Sequence, residues 1–275
     1  MEINVDNLKV SFSGPRGSVD AVKGVSFRIG REKLGIVGES GSGKSLTARS
    51  ILKLLPSRAT LSADRLDFDD IDILRASEPD MRRIRGRRAG LIMQDPKYSL
   101  NPVITVGAQI AETWRAHRGG GRREAVEAAL DLLDQVKIRD PRRVALAYPT
   151  ELSGGMGQRV MIAMMLAPDP ELLIADEPTS ALDVSVQAEI LRLLEGLVAT
   201  RGMSLLLISH DLPLVSRFCD RVLVMYSGKV LEELKASELT RASHPYTRGL
   251  LACLPSLSRP RARLNTLERS AAWTA

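Results

Sequence analysis

The chain lacks any apolar run near the ~20 residues needed to cross a bilayer as a helix. Apolar stretches such as Leu205–Ile208 have the length of buried strands instead. Cysteine is almost missing. Cys219 and Cys253, without C-x-x-C spacing, give neither a disulfide framework nor a thiolate metal site. The first residues, MEINVDNLKV, lack the basic segment followed by an apolar one that marks a secretory signal. A cytoplasmic location is therefore expected. Aromatic residues are scarce at 4%, and none interleaves the arginines Arg82, Arg83, Arg85, Arg87 and Arg88, which removes the platform for base stacking. The formal charge of +6 then reads as a solvated basic surface, and no direct nucleic-acid partner is expected. Anionic lipid headgroups or an acidic partner are the remaining alternatives for that surface. No internal repeat is visible.

What is present is ordinary for a globular α/β protein: 44% apolar and 26% charged residues, in a length that allows one large domain or two small ones. Residues 3–10 and 19–29 alternate apolar and polar side chains, as half-exposed antiparallel strands do. Leu34–Val37 reads as a buried strand, Leu46–Leu55 as a helix, and Ala89–Met93 as a second buried strand closed by Gln94-Asp95-Pro96. From about Thr105 to Val136 the period is helical, broken at Gly119-Gly120-Gly121, and another helix is expected over Gly155–Ala167. Strand and helix then alternate through Leu172–Ala175, Val184–Ala199, Ser204–Ser209, Leu212–Phe218 and Arg221–Met225, which implies a parallel sheet with crossover helices. The helical stretch at about 98–165 interrupts that alternation and is expected to form an inserted subdomain. The main domain should cover 1–257, with a loosely held tail at 258–275.

Three stretches carry chemistry. Gly38–Ser45 reads GESGSGKS, a G-x-x-x-x-G-K-S loop between a strand and a helix. Its glycines Gly38, Gly41 and Gly43 let the backbone curl so that N–H groups point onto phosphate oxygens, and the helix N-terminus adds partial positive charge. Gly38, Glu39, Ser40, Gly41, Ser42, Gly43, Lys44, Ser45 and Leu46 form the expected nucleotide cradle. Lys44 should bridge the β- and γ-phosphates of ATP, and the Ser45 hydroxyl should ligate Mg²⁺. The strand Leu172–Ala175 delivers Asp176 and Glu177 to a sheet edge, Asp176 for the metal and Glu177 as general base for water. Between them lies LSGGMGQ, residues 152–158, whose Ser153, Gly154 and Gly155 head a helix able to receive an anion.

Having the glycine loop, the LSGGMGQ run and the Asp-Glu strand in this order, the chain resembles the ATP-binding subunit of an ABC transporter over roughly residues 3–255. The resemblance implies a P-loop core with an N-terminal antiparallel β-subdomain and an inserted helical subdomain. It implies that Gln94 touches Mg²⁺ and the attacking water, that His210 contacts the γ-phosphate, and that Phe12 stacks on adenine. It also implies that Ser153, Gly154, Gly155, Gln158 and Asp183 serve the nucleotide of a second subunit, in a head-to-tail pair that sandwiches two ATP molecules. Gly157 departs from the long, often basic residue common at that position, and a helical glycine costs roughly 1 kcal/mol against alanine.

Within the family, SLNPVITVGAQI, YPTELSGGM, TSALDVSVQAEIL and HPYTRGLL resemble the dipeptide, oligopeptide and nickel importer ATPases. That kinship implies two transmembrane permease subunits, a second and non-identical ATPase, an extracytoplasmic substrate-binding protein, and a place on the cytoplasmic face of the inner membrane. With only Cys253 near the end of the sequence, an iron–sulfur cluster like that of the larger members is not expected, and the length is nearer the nickel-type subunits or a truncated peptide-type one. Two rival classes stand beside this reading. An exporter ATPase commonly has fused membrane helices, and a soluble ABC ATPase acting on nucleic acid or ribosomes carries a coiled-coil insertion or two cassettes. Neither feature is seen.

Overall fold

The computed structural model describes residues 1–14, 17–180, 182–254, 266–267, 270 and 273. They cluster into two compact units, one of Glu2–Arg75 with the chain from Leu207 onward, the other of Ala76–Leu206. We call them the phosphate-loop unit and the signature unit, after the GESGSGKS loop (38–45) and the LSGGMGQ run (152–158) that they carry.

The phosphate-loop unit begins with β1 (Ile3–Gly14) and β2 (Gly17–Ile29), antiparallel, with Ile3 opposite Ile29 and Phe12 opposite Val19. Alternation sets the faces: Val22, Val25, Phe27 and Ile29 are buried while Lys23, Ser26 and Arg28 are exposed. β3 (Lys33–Val37), buried almost throughout, leads through the glycine loop into α1 (Lys44–Ile51). This helix is shorter than its sequence suggests. Lys53 turns left-handed at φ 51°, and the N–H groups of Leu52 and Leu54 both fall on the Arg49 carbonyl, at 3.2 and 3.0 Å. Pro56 follows soon after, so the chain has no route back into the helix. β4 (Ala59–Ser62), β5 (Arg65–Phe68) and β6 (Ile71–Asp72) complete a sheet of order β2-β1-β5-β6, with β4 also on β1. These strands are too short to show a period in the sequence.

The signature unit opens with α2 (Glu78–Ile84), capped reciprocally by Ser77 and Asp80, and β7 (Ala89–Ile92). Its helical part is α3 (Val106–Arg118), α4 (Arg122–Gln135), α5 (Pro141–Ala145) and α6 (Gly154–Leu166). Gly119 and Gly120 separate α3 from α4 with φ of 75° and 90°, the break foreseen at the triple glycine. Gly107 lets α3 approach α5: a Cβ there would lie 2.7 Å from that of Ala145. β8 (Leu172–Asp176) pairs in parallel with β7, and α7 (Val184–Arg201) follows. β9 (Ser204–Ser209) then carries the chain into the phosphate-loop unit.

There α8 (Leu212–Phe218) precedes β10 (Arg221–Tyr226), which is parallel to β3 and antiparallel to β11 (Lys229–Lys235). Ser227 and Gly228, at φ 47° and 87°, make the two-residue hairpin turn between them. α9 (Pro245–Ala252) closes the continuous part. Most of the tail expected at 258–275 lies outside the described residues. Among the described residues no helix is long and apolar enough to cross a membrane.

Candidate functional site

In the phosphate-loop unit, β3 and β10 run in parallel register with Val37 beside Val224, so Gly38 emerges next to Met225. The approach is close enough to require glycine: a Cβ on Gly38 would stand 2.1 Å from the Met225 carbonyl oxygen. Gly41 and Gly43 take φ of 80° and 99°, the left-handed region that lets the loop reverse. Gly43 is the N-cap of α1 and offers no side-chain cap to the helix N–H groups. Lys44 is only 4% exposed, and its ammonium donates to the carbonyls of Gly38 (2.9 Å) and Glu39 (2.8 Å). The buried Ser42 Oγ has no hydrogen-bond partner among the described residues. A curled backbone, an ammonium folded over it and an orphaned hydroxyl fit a polyanionic ligand.

The same unit holds Phe12 and His210. Phe12 is half-buried, with Val19 and Ala59 as its strand partners. His210 is exposed just past β9. The Asp211 N–H donates to Ser209 Oγ (3.0 Å), and the Asp211 carboxylate caps α8 at the Leu214 N–H (2.9 Å), which fixes the backbone on the C-terminal side of the histidine. Ser40 and Gly41 are exposed, while Glu39, Ser45 and Leu46 are half-buried.

In the signature unit the β7–β8 register sets Ile92 beside Ala175. Gln94 and the pair Asp176-Glu177 therefore leave the two strands past the same edge. Asp176 is 3% exposed, held by the apolar strand it ends. Glu177 takes φ 48°, a left-handed conformation rare outside glycine that costs on the order of 1–3 kcal/mol. Its carbonyl accepts from the Ser180 N–H (3.3 Å) and Ser180 Oγ (3.1 Å), which locks that turn. Gln94 is exposed.

Ser153, exposed, caps α6 by accepting from the Met156 N–H at 3.4 Å. Gly154 and Gly155 follow against Leu182 and Val186, where added Cβ atoms would lie 3.3 and 2.7 Å from their side chains. Gly157 faces Pro96 of the glutamine segment, 3.5 Å from where a Cβ would be, so this helix glycine is a packing contact between Gln94's loop and the signature helix. A cavity of about 260 Å³ beside them is lined by residues of both, including Lys97, Leu100 and Leu152. Gln158 is buried at 1%, with an unpartnered Nε2, and Asp183 is exposed at the N-cap of α7.

Sequence reading misses three supports. Gln187 Nε2 donates to the carbonyls of Thr179 and Leu182, both at 2.9 Å, and so shapes the segment before Asp183. The buried Gln109 clamps the segment after the glutamine loop, with Nε2 on Asn101 O (2.9 Å) and Ile104 O (2.8 Å). Tyr246 reaches the glycine loop, where its Oη accepts the Glu39 N–H at 3.1 Å. Amides and a tyrosine carry no periodic signal, and only the distinctive HPYTRGLL stretch draws the eye to the last.

The family described as ABC transporter matches residues 22–180. The chain belongs to the ABC transporter family. A probable peptide ABC transporter ATP-binding protein of Sinorhizobium fredii is 48% identical over 262 residues, covering 94% of this chain and 78% of that protein. The dipeptide transport ATP-binding protein of Escherichia coli is 45% identical over 267 residues, covering 96% and 82%. A solved dimeric ATP-binding cassette, described as a post-hydrolysis state bound to ADP and Pi, matches with a TM-score of 0.76 at 28% identity, over 85% of this chain and 98% of that one. This ABC protein is an ATPase that works with ATP and Mg²⁺. Among the described residues no three His, Cys, Asp or Glu side chains gather into a metal cluster. One hydroxyl, one carboxylate and one amide are oxygen donors suited to Mg²⁺, which binds few protein ligands and keeps waters and phosphate oxygens around it.

Proposed function

We propose that this ATPase energises the import of peptides through a membrane complex, docked on the cytoplasmic face of the inner membrane against two permease subunits. An extracytoplasmic binding protein delivers the cargo, and a second, non-identical ATPase completes the pair. The peptide assignment is supported by the two relatives above, whose names are those of peptide and dipeptide transport proteins. The permease contact is assigned to the helical part beside Gln94. There Val103 and Leu146 are 77% and 76% exposed, apolar surface of the kind partners cover.

The observation that carries the chemistry is the buried Lys44 ammonium resting on the carbonyls of its own loop. A charge so placed is exchanged from weak carbonyl acceptors to the β- and γ-phosphate oxygens when ATP enters. The backbone N–H groups of the loop and of the first turn of α1 receive the remaining phosphate oxygens. Phe12 stacks on the adenine and His210 contacts the γ-phosphate. Ser45, Asp176 and Gln94 would hold Mg²⁺, which neutralises charge on the β- and γ-phosphates. Glu177 accepts a proton from the attacking water as the water oxygen bonds to the γ-phosphorus, and Gln94 orients that water. Ser153, Gly154, Gly155 and Asp183 serve the nucleotide of the partner ATPase; Gln158, expected among them, is buried at 1% on the inner face of α6 and is withdrawn from that set.

The test is co-purification of the chain with its permeases and partner ATPase, followed by reconstitution in vesicles. Labelled dipeptide should accumulate in an ATP-dependent way, and Glu177→Gln should retain ATP binding while slowing hydrolysis by at least the ~10²-fold of a lost general base. Wild-type hydrolysis by Glu177→Gln would displace the base assignment. Uptake of a metal ion with no peptide uptake would displace the cargo.

A further inference from the structure

HPYTRGLL, the stretch His244–Leu251, takes no part in the chemistry above, yet one of its side chains reaches the glycine loop. His244 caps α9 by accepting the Tyr246 N–H on Nδ1 at 3.1 Å, and Pro245 opens the first turn with its fixed φ. These two residues turn the Tyr246 ring inward, where it is fully buried. Its Oη accepts the Glu39 N–H at 3.1 Å. The carbonyl of the same Glu39 accepts the Lys44 ammonium at 2.8 Å and the Ser42 N–H at 3.2 Å. One loop residue is thus held on both sides, by the tyrosine on its N–H and by the phosphate-binding lysine on its carbonyl.

The tyrosine has support of its own. Its ring centroid lies 4.7 Å from that of Tyr226 and 5.4 Å from that of Trp273, and Trp273 meets Tyr226 edge-on at 5.6 Å. Such tilted and edge-on pairs add attraction beyond the burial of their area. Tyr226 ends β10, and the turn that follows sends the Gly228 N–H to the Ser42 carbonyl at 3.1 Å. The hairpin turn and the aromatic cluster therefore grip the loop at Ser42 and Glu39.

We propose that Tyr246 is a positioning residue for ATP: by accepting the Glu39 N–H it holds the glycine loop in its binding-competent curl, and the Trp273 ring packs into the same support. The inference rests on the assignment of ATP to the glycine loop. A loop that loses this tie populates other conformations, and apparent affinity falls in proportion to the competent fraction. Tyr246 is assigned no contact with the reacting atoms, so turnover at saturating ATP is preserved.

The experiment uses the full chain in its transporter complex. Tyr246→Phe keeps the ring and removes only the hydroxyl, and it should raise the KM for ATP about three- to tenfold, the range of one net hydrogen bond, with kcat within about twofold. Trp273→Leu should shift KM in the same direction, by about two- to threefold. Leu239→Ala, at a buried position of the same unit, supplies a destabilised control whose KM should stay at the wild-type value. An unchanged KM in both aromatic variants overturns the proposal, as does a fall in kcat without a rise in KM, or an equal KM shift in Leu239→Ala. Should Tyr246→Phe not accumulate as folded protein, Trp273→Leu against Leu239→Ala decides. Lys44→Ala separates the two levels. If it retains ATP binding, the nucleotide assignment fails. If it loses binding while Tyr246→Phe is unchanged, only the positioning role fails.

Discussion

Gly43 and Ser153 occupy the same position in two helices, the residue just before α1 and just before α6, and they treat the helix end in opposite ways. Gly43 is left-handed at φ 99° and brings no side chain to the free N–H groups. Ser153 is extended, φ −65° and ψ 159°, and covers the Met156 N–H with its own hydroxyl. The glycines around them differ in the same sense. Those of the phosphate loop are demanded by backbone conformation, with Gly38, Gly41 and Gly43 all at positive φ. Those of the signature have no positive φ, and the tightest of them, Gly155, is demanded by the Val186 side chain beside it. One loop leaves its donors to a ligand. The other turns its Ser153 hydroxyl onto one of its own N–H groups and offers a ligand the rest of its exposed edge.

The largest effect should break the comparison if it is wrong. Lys44→Ala removes the charged donor of the phosphate loop and should weaken ATP binding by the isolated subunit at least about a hundredfold, on the scale of charge-assisted hydrogen bonds to phosphate. Ser153→Arg should leave that affinity within about twofold while impairing turnover at the partner's nucleotide in the complex. Titration of both with a fluorescent ATP analogue checks the pair. A large loss for Ser153→Arg would mean that the signature acts on its own subunit's nucleotide.

A smaller effect separates the two kinds of glycine. Gly43→Ala forces an L-residue into the left-handed region, at about 1–2 kcal/mol, and sets a Cβ 2.7 Å from the Ala21 carbonyl oxygen. ATP affinity should fall about tenfold, the same energy expressed as binding. Gly155→Ala meets only a side chain and gains helix propensity, so affinity should not change while turnover in the complex drops. Adding Val186→Ala should restore much of that turnover. A double-mutant cycle measures it, and an absence of coupling would remove the packing explanation.

The sequence is most informative where chemistry demands a residue type at a fixed spacing. The loop Gly38–Ser45, the strand ending at Asp176-Glu177 and the Ser153 cap all stand where their pattern puts them, because each needs a strand or helix end that binary patterning also marks. Secondary structure is less legible where tertiary contact decides. Strands β4 and β5 are short segments held by β1, β6 is held in turn by β5, and α1 stops early because Lys53 goes left-handed. The inward turn of Gln158 and the packing of Gly157 on Pro96 depend on which face of α6 is buried, and a helix apolar nearly all round does not announce that. Tyr246 is illegible for a different reason: its partner, Glu39, is 207 residues away in the chain.

The smallest effect tests whether acid acts on the signature unit alone. His117 sits in the last turn of α3, where the helix dipole would favour its charged form. Burial prevails, with Arg87 adding repulsion, and the imidazole is held below its ordinary value. The closeness of Gly86 shows why: a Cβ there would lie 2.5 Å from the His117 ring. A base with a depressed pKa binds fewer protons folded than unfolded. Its contribution is therefore complete above the ordinary histidine value of about 6.5 and declines as pH falls through that value toward the folded one. Hydrogen exchange, corrected for its intrinsic pH dependence, should show the α3 amides losing protection between pH 7.5 and 5.5 while those of α1 do not. His117→Gln, which cannot titrate, should flatten the α3 response. Equal losses in α1 and α3, or an unaltered response in His117→Gln, would place the acid sensitivity elsewhere and leave the two units indistinguishable by this measure.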